Sequence, residues 1–474
     1  MTPRGSELGR SVRSSATLAS FLSFLLPGLG QLLTGAWRRG VLFALPILAL
    51  LGAAAVAWLV DRPLVVRAAL SPGVLLAVVA LSLAMLAYRC WAIVDAYRVS
   101  RRRWGAASST AQHAASLLVV VILLAATAYA HGWVAYLGWN AHQTLAAVFA
   151  PGGPDGLATP APSASLPSGS ATSTPAAPTA APTPTASPTP EWAADGRLNV
   201  LLIGSDAGPG RWSMRADAII LVSIEISSGR VAAFSLPRYT LGVPLPEPAA
   251  SAFTCRCAAD QYANALYVYA NQHPELFPGG DDRGLLALSG MAEALFGVHL
   301  DGMAVADLNG FVGLVDAIGG IDVNVPQPVY DAKYRPPNGG PLVAISFAAG
   351  RQHLDGWHAL AYARTRHQDG DFNRMKRQQL VVQAIGHELR CDPLGDLPAV
   401  LDVARTSLWT NLPLDDVPDM LRIDAGPVES HLLFDVYNPV LTPADWARVA
   451  SEVAHAFDGP PPKVKPGSGC SAAG

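Results

Sequence analysis

Charge is scarce in this chain: only 15% of its 474 residues are charged, against 51% hydrophobic. With a mean hydropathy of +0.28, that balance is unusual for a fully water-soluble protein and points to membrane-embedded segments. A basic excess is also missing. The formal net charge of −3 argues against a nucleic-acid-binding protein, which needs cations to neutralise phosphates. Cysteine is sparse, at five residues. Cys90 lies in an apolar run and reads as a small buried hydrophobe. Cys255 and Cys257 are too close for a zinc knuckle without a partner pair. In an external domain, one of them could pair with Cys391. Several catalytic signatures are absent. "GSDAGPG" lacks the Gly-Lys-Ser/Thr ending of a phosphate loop, His353 and His358 lack the spacing and Glu of a zinc protease helix, and no Gly-x-Ser-x-Gly elbow occurs.

Long apolar runs are what the first third has instead. Segments at about 41–60, 70–95 and 115–138 are each long enough for a membrane-crossing helix. A further uncharged segment, 16–37, contains "LLPGLGQ". Basic residues cluster at Arg4, Arg10 and Arg13, at Arg38 and Arg39, and at Arg98 with Arg101 to Arg103. The positive-inside rule puts all three clusters in the cytoplasm. Segment 16–37 would then dip in and return, broken at Pro27-Gly28; the other reading is an ordinary fourth span with the N-terminus outside. Either way, the last span carries the chain outward. The expected organisation is a cytoplasmic N-terminus (1–14), a membrane region (15–140), a linker (151–194), an external domain (195–460) and a disordered tail (461–474).

From Gly156 to Pro190 there is neither a charge nor an aromatic ring, only Pro, Ala, Thr and Ser with an occasional Gly or Leu. Such a stretch cannot bury enough apolar surface to fold and serves as a spacer. Beyond it, "RLNVLLIGSD" reads as a buried strand, and "AIILVSIEISSGRVAAFSL" as two strands turning at Ser227-Ser228-Gly229. Helical periods follow at Gly284–Phe296 and Asp307–Ile318, the second stopping at Gly319-Gly320. "IDVNVPQPV" and "HALAYARTRH" read as strands, and a long helix is expected from near Asp371 or Asn373 to about Arg390. This interleaving predicts an α/β fold, a mixed central β-sheet flanked by helices, preceded by an all-α transmembrane anchor.

The densest polar block is "YARTRHQDGDFNRMKRQQ". On a strand, Arg364 and Arg366 would project from one face. Asp371 suits an N-cap, and Arg374 and Gln378 share a face of the helix that follows. Guanidinium groups gathered at a helix N-terminus can hold a phosphate or pyrophosphate; the alternative is a solvated basic face. A second set comprises Arg215, Asp217 and Arg238. If their strands pair, an Asp beside arginines could hold a divalent cation or orient a nucleophile, or could simply tie the strand ends together.

From about Arg197 to Leu389, "NVLLIGSD", "RADAIILVSI", "SLPR", "FVGLVDAIGGIDVNV", "LDGWHALAYARTR" and "GDFNRMKRQQ" occur in an order and spacing that resemble the LytR-CpsA-Psr family of cell-wall glycopolymer transferases. The resemblance implies a sheet flanked by helices with a long hydrophobic pocket for a polyprenyl tail. It implies a membrane-anchored phosphotransferase that moves a glycopolymer, teichoic-acid-like, capsular or arabinogalactan-like, from a polyprenyl-pyrophosphate carrier to a peptidoglycan hydroxyl outside the cell. By motif, Asp217, Arg238, Arg364 and Arg366 would be catalytic. Arg215, Asn264, Asp371, Arg374, Arg377 and Gln378 would bind substrate. Asp217 would take Mg2+ or help activate the acceptor. Two departures bear on this. The chain has Tyr239 where the family has an Asp after the Arg, and Tyr262-Ala263-Asn264 where the family has Lys-Ile-Asn. Magnesium is therefore expected to bind more weakly or elsewhere. A polyprenyl-phosphate-binding or wall-anchoring protein without turnover is the second expectation.

Overall fold

The computed structural model describes residues 16–60, 65, 68, 71–104, 110–149, 193–206, 214–280, 283–337, 340–391, 397–414, 416–420, 423–434 and 439–460. The segment 1–14, the linker up to residue 192 and the tail from 461 lie outside the described residues. The chain divides into two compact units, residues 1–146 and 147–474.

In the first unit, "LLPGLGQ" breaks what would be a long helix into α1 (Ala16–Leu25) and α2 (Leu29–Leu33), with Gly28 at φ +100 between them. Ten helical residues rise about 15 Å, roughly half a bilayer's hydrocarbon thickness. Three helices are long and apolar enough to cross a membrane: α3 (Trp37–Val60), α4 (Pro72–Trp104) and α5 (Thr110–Val148). The two short helices explain their own composition. A Cβ on Gly30 would fall 1.9 Å from the Ala19 carbonyl oxygen, and one on Gly28 2.2 Å from that of Gly40, so only glycine permits these approaches. The side chain of Gln31 is fully buried; its amide donates to the Ala92 carbonyl (2.9 Å) and to Asp95 (3.2 Å), while its oxygen accepts from the Ser23 hydroxyl (2.8 Å). Asp95 also pairs with Arg39 at 2.8 Å. The buried Gln31 amide thus has partners for both its nitrogen and its oxygen, as burial requires.

In the second unit, β1 (Arg197–Ser205), β2 (Ala216–Glu225) and β3 (Val231–Leu236) form an antiparallel meander. α6 (Arg283–Phe296) leads to β4 (Gly302–Ala306), which lies parallel to β1. Then follow α7 (Leu308–Ala317), β5 (Ile321–Val325), β6 (Val329–Tyr334), β7 (Val343–Phe347) and β8 (Gly350–Leu354). α8 (Gly356–Arg364), α9 (Gly370–Cys391), α10 (Leu397–Ser407), β9 (Leu408–Thr410), β10 (Val428–Leu432) and α11 (Pro443–Ala454) complete it. The six-stranded sheet runs β9-β4-β1-β2-β3-β10 and mixes parallel with antiparallel pairs. This is the α/β architecture expected, a mixed sheet with flanking helices.

The alternation of β-strands decides which residues pack where. Leu201, Ile203, Ile219, Leu221 and Phe234 pack with Leu288, Met291 and Leu295 of α6 and Val449 of α11 in one core. A second core gathers around Val315, Val323, Tyr362 and Val381, between the β5–β8 ribbon and helices α7 to α9.

Three local expectations are corrected. "HALAYARTRH" is not a strand: Gly356 to Arg364 is helix α8, so Arg364 and Arg366 do not alternate on one. Its Ala-rich sequence favours helix, and Asp355 caps it by accepting from the His358 N–H at 2.8 Å. Asp371 lies within the first turn of α9, which begins at Gly370, instead of standing before it. Cys255 pairs with Cys257, so neither bonds Cys391, which is itself disulfide-bonded elsewhere.

Candidate functional site

The sheet face away from α6 is the floor of a cavity of about 860 Å³. Its shape follows from side-chain size. A row of small residues, Ala306, Gly204 and Ala218, crosses three adjacent strands in register. Leu202 and Ile220 stand beside that row on the sheet, and Leu308, Phe311 and Leu314 of α7, Leu360 of α8, and Val382 and Ile385 of α9 cover it from above. The small row leaves space between the sheet and the helices above it.

One wall of this apolar cavity is cationic. The antiparallel pairing of β2 with β3 sets Asp217, at the start of β2, beside Arg238, just after β3; their ion pair is 2.5 Å. Arg238 is 8% exposed, and its Nε lies 3.7 Å from Asp371. Asp371 pairs in turn with Arg374 at 3.0 Å, and both are 3% exposed. Arg364 closes α8 and donates to the Tyr334 hydroxyl at 3.4 Å. Arg366 donates to the Tyr239 hydroxyl at 3.3 Å, which also accepts from Arg238 at 2.8 Å. Arg238, Arg364, Arg366, Arg374 and Gln378 all border the cavity, as does Asp217. Burial, the nearby Arg238 charge and the more distant Arg366 push the Arg374 guanidinium down to about 10, against the opposing pull of Asp371 and Asp217. It remains protonated at neutral pH, and an anion among these groups would relieve the repulsion.

Not every residue expected at the site reaches it. Arg215 is exposed and does not border the cavity; its backbone N–H donates to Asp206 at 2.9 Å. Asn264 is buried and its N–H donates to the Arg238 carbonyl at 3.0 Å, so it holds the strand end that carries the arginine. Arg377 is buried inside the protein. It donates to the carbonyls of Tyr362 (3.0 Å) and Thr365 and pairs with Asp369 at 2.6 Å, which fixes the loop between α8 and α9 from beneath. Sequence reasoning passed over Tyr239 as a hydrogen-bond acceptor for two arginines, and gave no role to Asp331 or His367, which also border the cavity. His367 stood inside the arginine block; nothing in the sequence linked it to Asp331.

Among the described residues no group of three or more His, Cys, Asp or Glu could hold a metal ion. A magnesium ion, however, commonly takes one or two carboxylates and leaves its other positions to water and phosphate oxygens. Asp217 and Asp371 flank the same guanidinium, and the buried Asp371 Oδ1 lacks a hydrogen-bond partner. This donor set fits magnesium in that limited way. The Tyr239 hydroxyl serves the cations.

Comparison with known proteins matches residues 168–427 to the profile described as the LytR_cpsA_psr family. The polyisoprenyl-teichoic acid–peptidoglycan teichoic acid transferase TagU of Bacillus cereus is 27% identical over 228 residues, covering 48% of this chain and 64% of that protein. The regulatory protein MsrR of Staphylococcus aureus is 26% identical over 223 residues, covering 46% of this chain and 58% of that one. The chain thus spans less than two thirds of the length of these relatives. Among solved structures, TagT bound to LI-WTA matches with a TM-score of 0.40 at 22% identity, covering 56% of this chain and 92% of the other. TagU of B. subtilis gives 0.38 at 21% identity, over 56% and 99%.

Proposed function

Because the chain belongs to the LytR_cpsA_psr family, we propose that it is a membrane-anchored phosphotransferase. It moves a glycopolymer from a polyprenyl-pyrophosphate carrier to a peptidoglycan hydroxyl. The observation that carries this reading is the junction of a cationic wall with an apolar cavity of about 860 Å³. A pyrophosphate bearing a long hydrocarbon tail has that duality. Arg238, Arg364, Arg366 and Arg374 would grip the pyrophosphate, with Gln378 beside them, while the tail lies between the sheet and α7 to α9. A ladder of buried ion pairs stabilises a fold poorly compared with apolar packing, so binding an anion is the better account of it.

The arginines would act most strongly as charge develops on the departing phosphate, because they are already in place and shielded from water. Magnesium, if held by Asp217 with Asp371, would add charge neutralisation at the same phosphates. TagU's name describes transfer of teichoic acid to peptidoglycan, which supports the chemistry while the particular polymer stays open. The reading puts the domain from 195 onward outside the cell. Arg38 and Arg39 at the start of α3 and Arg101 to Arg103 at the end of α4 would face the cytoplasm, and α5 would lead out.

The test is transfer by the full chain in lipid nanodiscs, supplied with a polyprenyl-pyrophosphate-linked glycan and peptidoglycan, with and without magnesium. Product should form, and Arg364→Ala/Arg366→Ala should lower turnover by about 10³-fold or more, given the 10²–10³ lost with one charge-stabilising donor elsewhere. Absence of product with intact carrier binding would favour the second reading, a carrier-binding protein without turnover. Tyr239 is the observation behind that alternative, since its hydroxyl stands among the arginines where the family has a carboxylate.

A further inference from the structure

The loop between α8 and α9 and strand β6 bring together a pair of groups that the pyrophosphate site does not use. Asp331, on β6, is 2% exposed. Its Oδ2 accepts from the Thr365 hydroxyl and from His367 Nδ1, each at 2.7 Å, and its Oδ1 accepts from the Lys333 N–H at 2.9 Å. Burial alone would raise this carboxyl, but the hydrogen bonds from Thr365, His367 and Lys333 outweigh it and hold it below the usual range, so Asp331 stays ionised. His367 is the reverse case, with 63% of its side chain exposed. An imidazole that donates from Nδ1 to a carboxylate has its tautomer set, leaving Nε2 as the basic nitrogen.

His367 borders the same cavity as Arg364, Arg366 and Arg374 and follows Arg366 directly in the chain. Its loop is held from both sides. Gln368 accepts from the Tyr330 N–H at 2.5 Å and donates to the Pro328 carbonyl at 3.2 Å, while Arg377 clasps the Thr365 carbonyl from beneath. Asp331, Lys333, Tyr334 and Arg335 from the β6 side, Arg364 at the end of α8 and Arg366 in the loop border the same cavity. Asp217, the other candidate for proton removal, is already engaged by Arg238 at 2.5 Å.

We propose that His367, oriented by Asp331, is the general base that takes the proton from the acceptor hydroxyl. The proposal rests on the transfer reading above. In the step, the acceptor O–H bond breaks and its proton passes to His367 Nε2. The hydroxyl oxygen bonds to the glycan-bearing phosphorus. The bond from that phosphorus to the bridging oxygen breaks, and its electron pair leaves on polyprenyl phosphate. Asp331 stabilises the imidazolium, which then returns its proton to water. The arginines bind the donor, and the imidazole activates the acceptor.

The experiment compares wild type, His367→Ala and His367→Gln as full chains in nanodiscs. It measures transfer across pH, and separately the binding of polyprenyl pyrophosphate. Removing a positioned base costs about 10²–10⁴-fold in turnover, so both variants should lose that much while binding the donor as wild type does. The acid limb of the wild-type pH–rate profile should vanish in them, and added imidazole should restore part of the activity of His367→Ala. Wild-type transfer with an equally active His367→Ala and an unchanged acid limb overturns the inference alone. So does loss of donor binding in the variants, which would make His367 a binding group. A wild type that binds the donor but never transfers removes both the inference and the transfer reading beneath it.

Discussion

The two faces of the central sheet are made by the same strands and packed to different ends. On one, Leu201, Ile203, Leu221 and Phe234 close against α6 and α11 in a continuous core. On the other, Gly204, Ala218, Ala304 and Ala306 leave room under α7 to α9, and the space becomes the cavity. Alternation along β1 sends Leu201 and Ile203 to the solid face and Leu202 and Gly204 to the hollow one. The lesson is that side-chain volume on one face, with hydrophobicity held constant, separates a core from a binding site.

That contrast can be broken most sharply from the hollow side. Ala304→Phe places a ring where the cavity has a methyl group. Because one misfitting methylene in an apolar pocket already shifts discrimination about 10–200-fold, carrier binding should fall at least about tenfold, read as polyprenyl-pyrophosphate affinity in nanodiscs. The stability of the second unit should change little, since the ring enters existing space. The two faces can also be compared for stability. Leu288, fully buried under the sheet, should cost about 3 kcal/mol on truncation to Ala. Leu314 borders the cavity and is only half-buried, so Leu314→Ala should cost about 1 kcal/mol, because atoms facing a void have fewer contacts to lose. Equal losses in denaturant unfolding of the full chains would mean that the cavity is filled in the resting protein.

The smallest effect concerns the strand entrance that both faces share. Asp301, just before β4, accepts from the Asn199 N–H at 2.7 Å. Burial, helped by the Asp195 charge and opposed by that hydrogen bond, raises its pKa from 3.8 to about 6. The folded state then binds the proton more tightly than the unfolded one. This carboxyl therefore favours folding at low pH, and the contribution is lost as pH rises through about 6. The group is partly exposed, and after discounting for screening the effect is about 1 kcal/mol. Asp301→Asn should raise the melting temperature of the second unit slightly at pH 7.5 and leave it unchanged near pH 4.

Much of the fold was legible in the sequence because its elements are long and periodic. The three long apolar helices, the β1–β3 meander and α7 with its glycine stop are patterns that neighbouring residues impose on one another. "HALAYARTRH" was misread because a short apolar run does not distinguish period 2 from period 3.6; the Asp355 cap was the available signal. The site was legible as a set of residue types, with the roles within that set left open. Arg374 and Arg377 lie on neighbouring turns of α9, yet one faces the cavity and the other braces a loop from within.

By itself, the sequence determined the three long apolar helices, the α/β class and the gathering of arginines in one block, because hydropathy, β-alternation and capping act over a few residues. Only the tertiary structure decided the partners that are distant along the chain. It brought Gln31 to Asp95, Asp217 to Arg238 and Asp331 to His367. A buried polar or charged group must find a partner wherever the packed backbone brings one within about 3 Å. That choice belongs to the assembled fold, since the local pattern around either partner is compatible with many others.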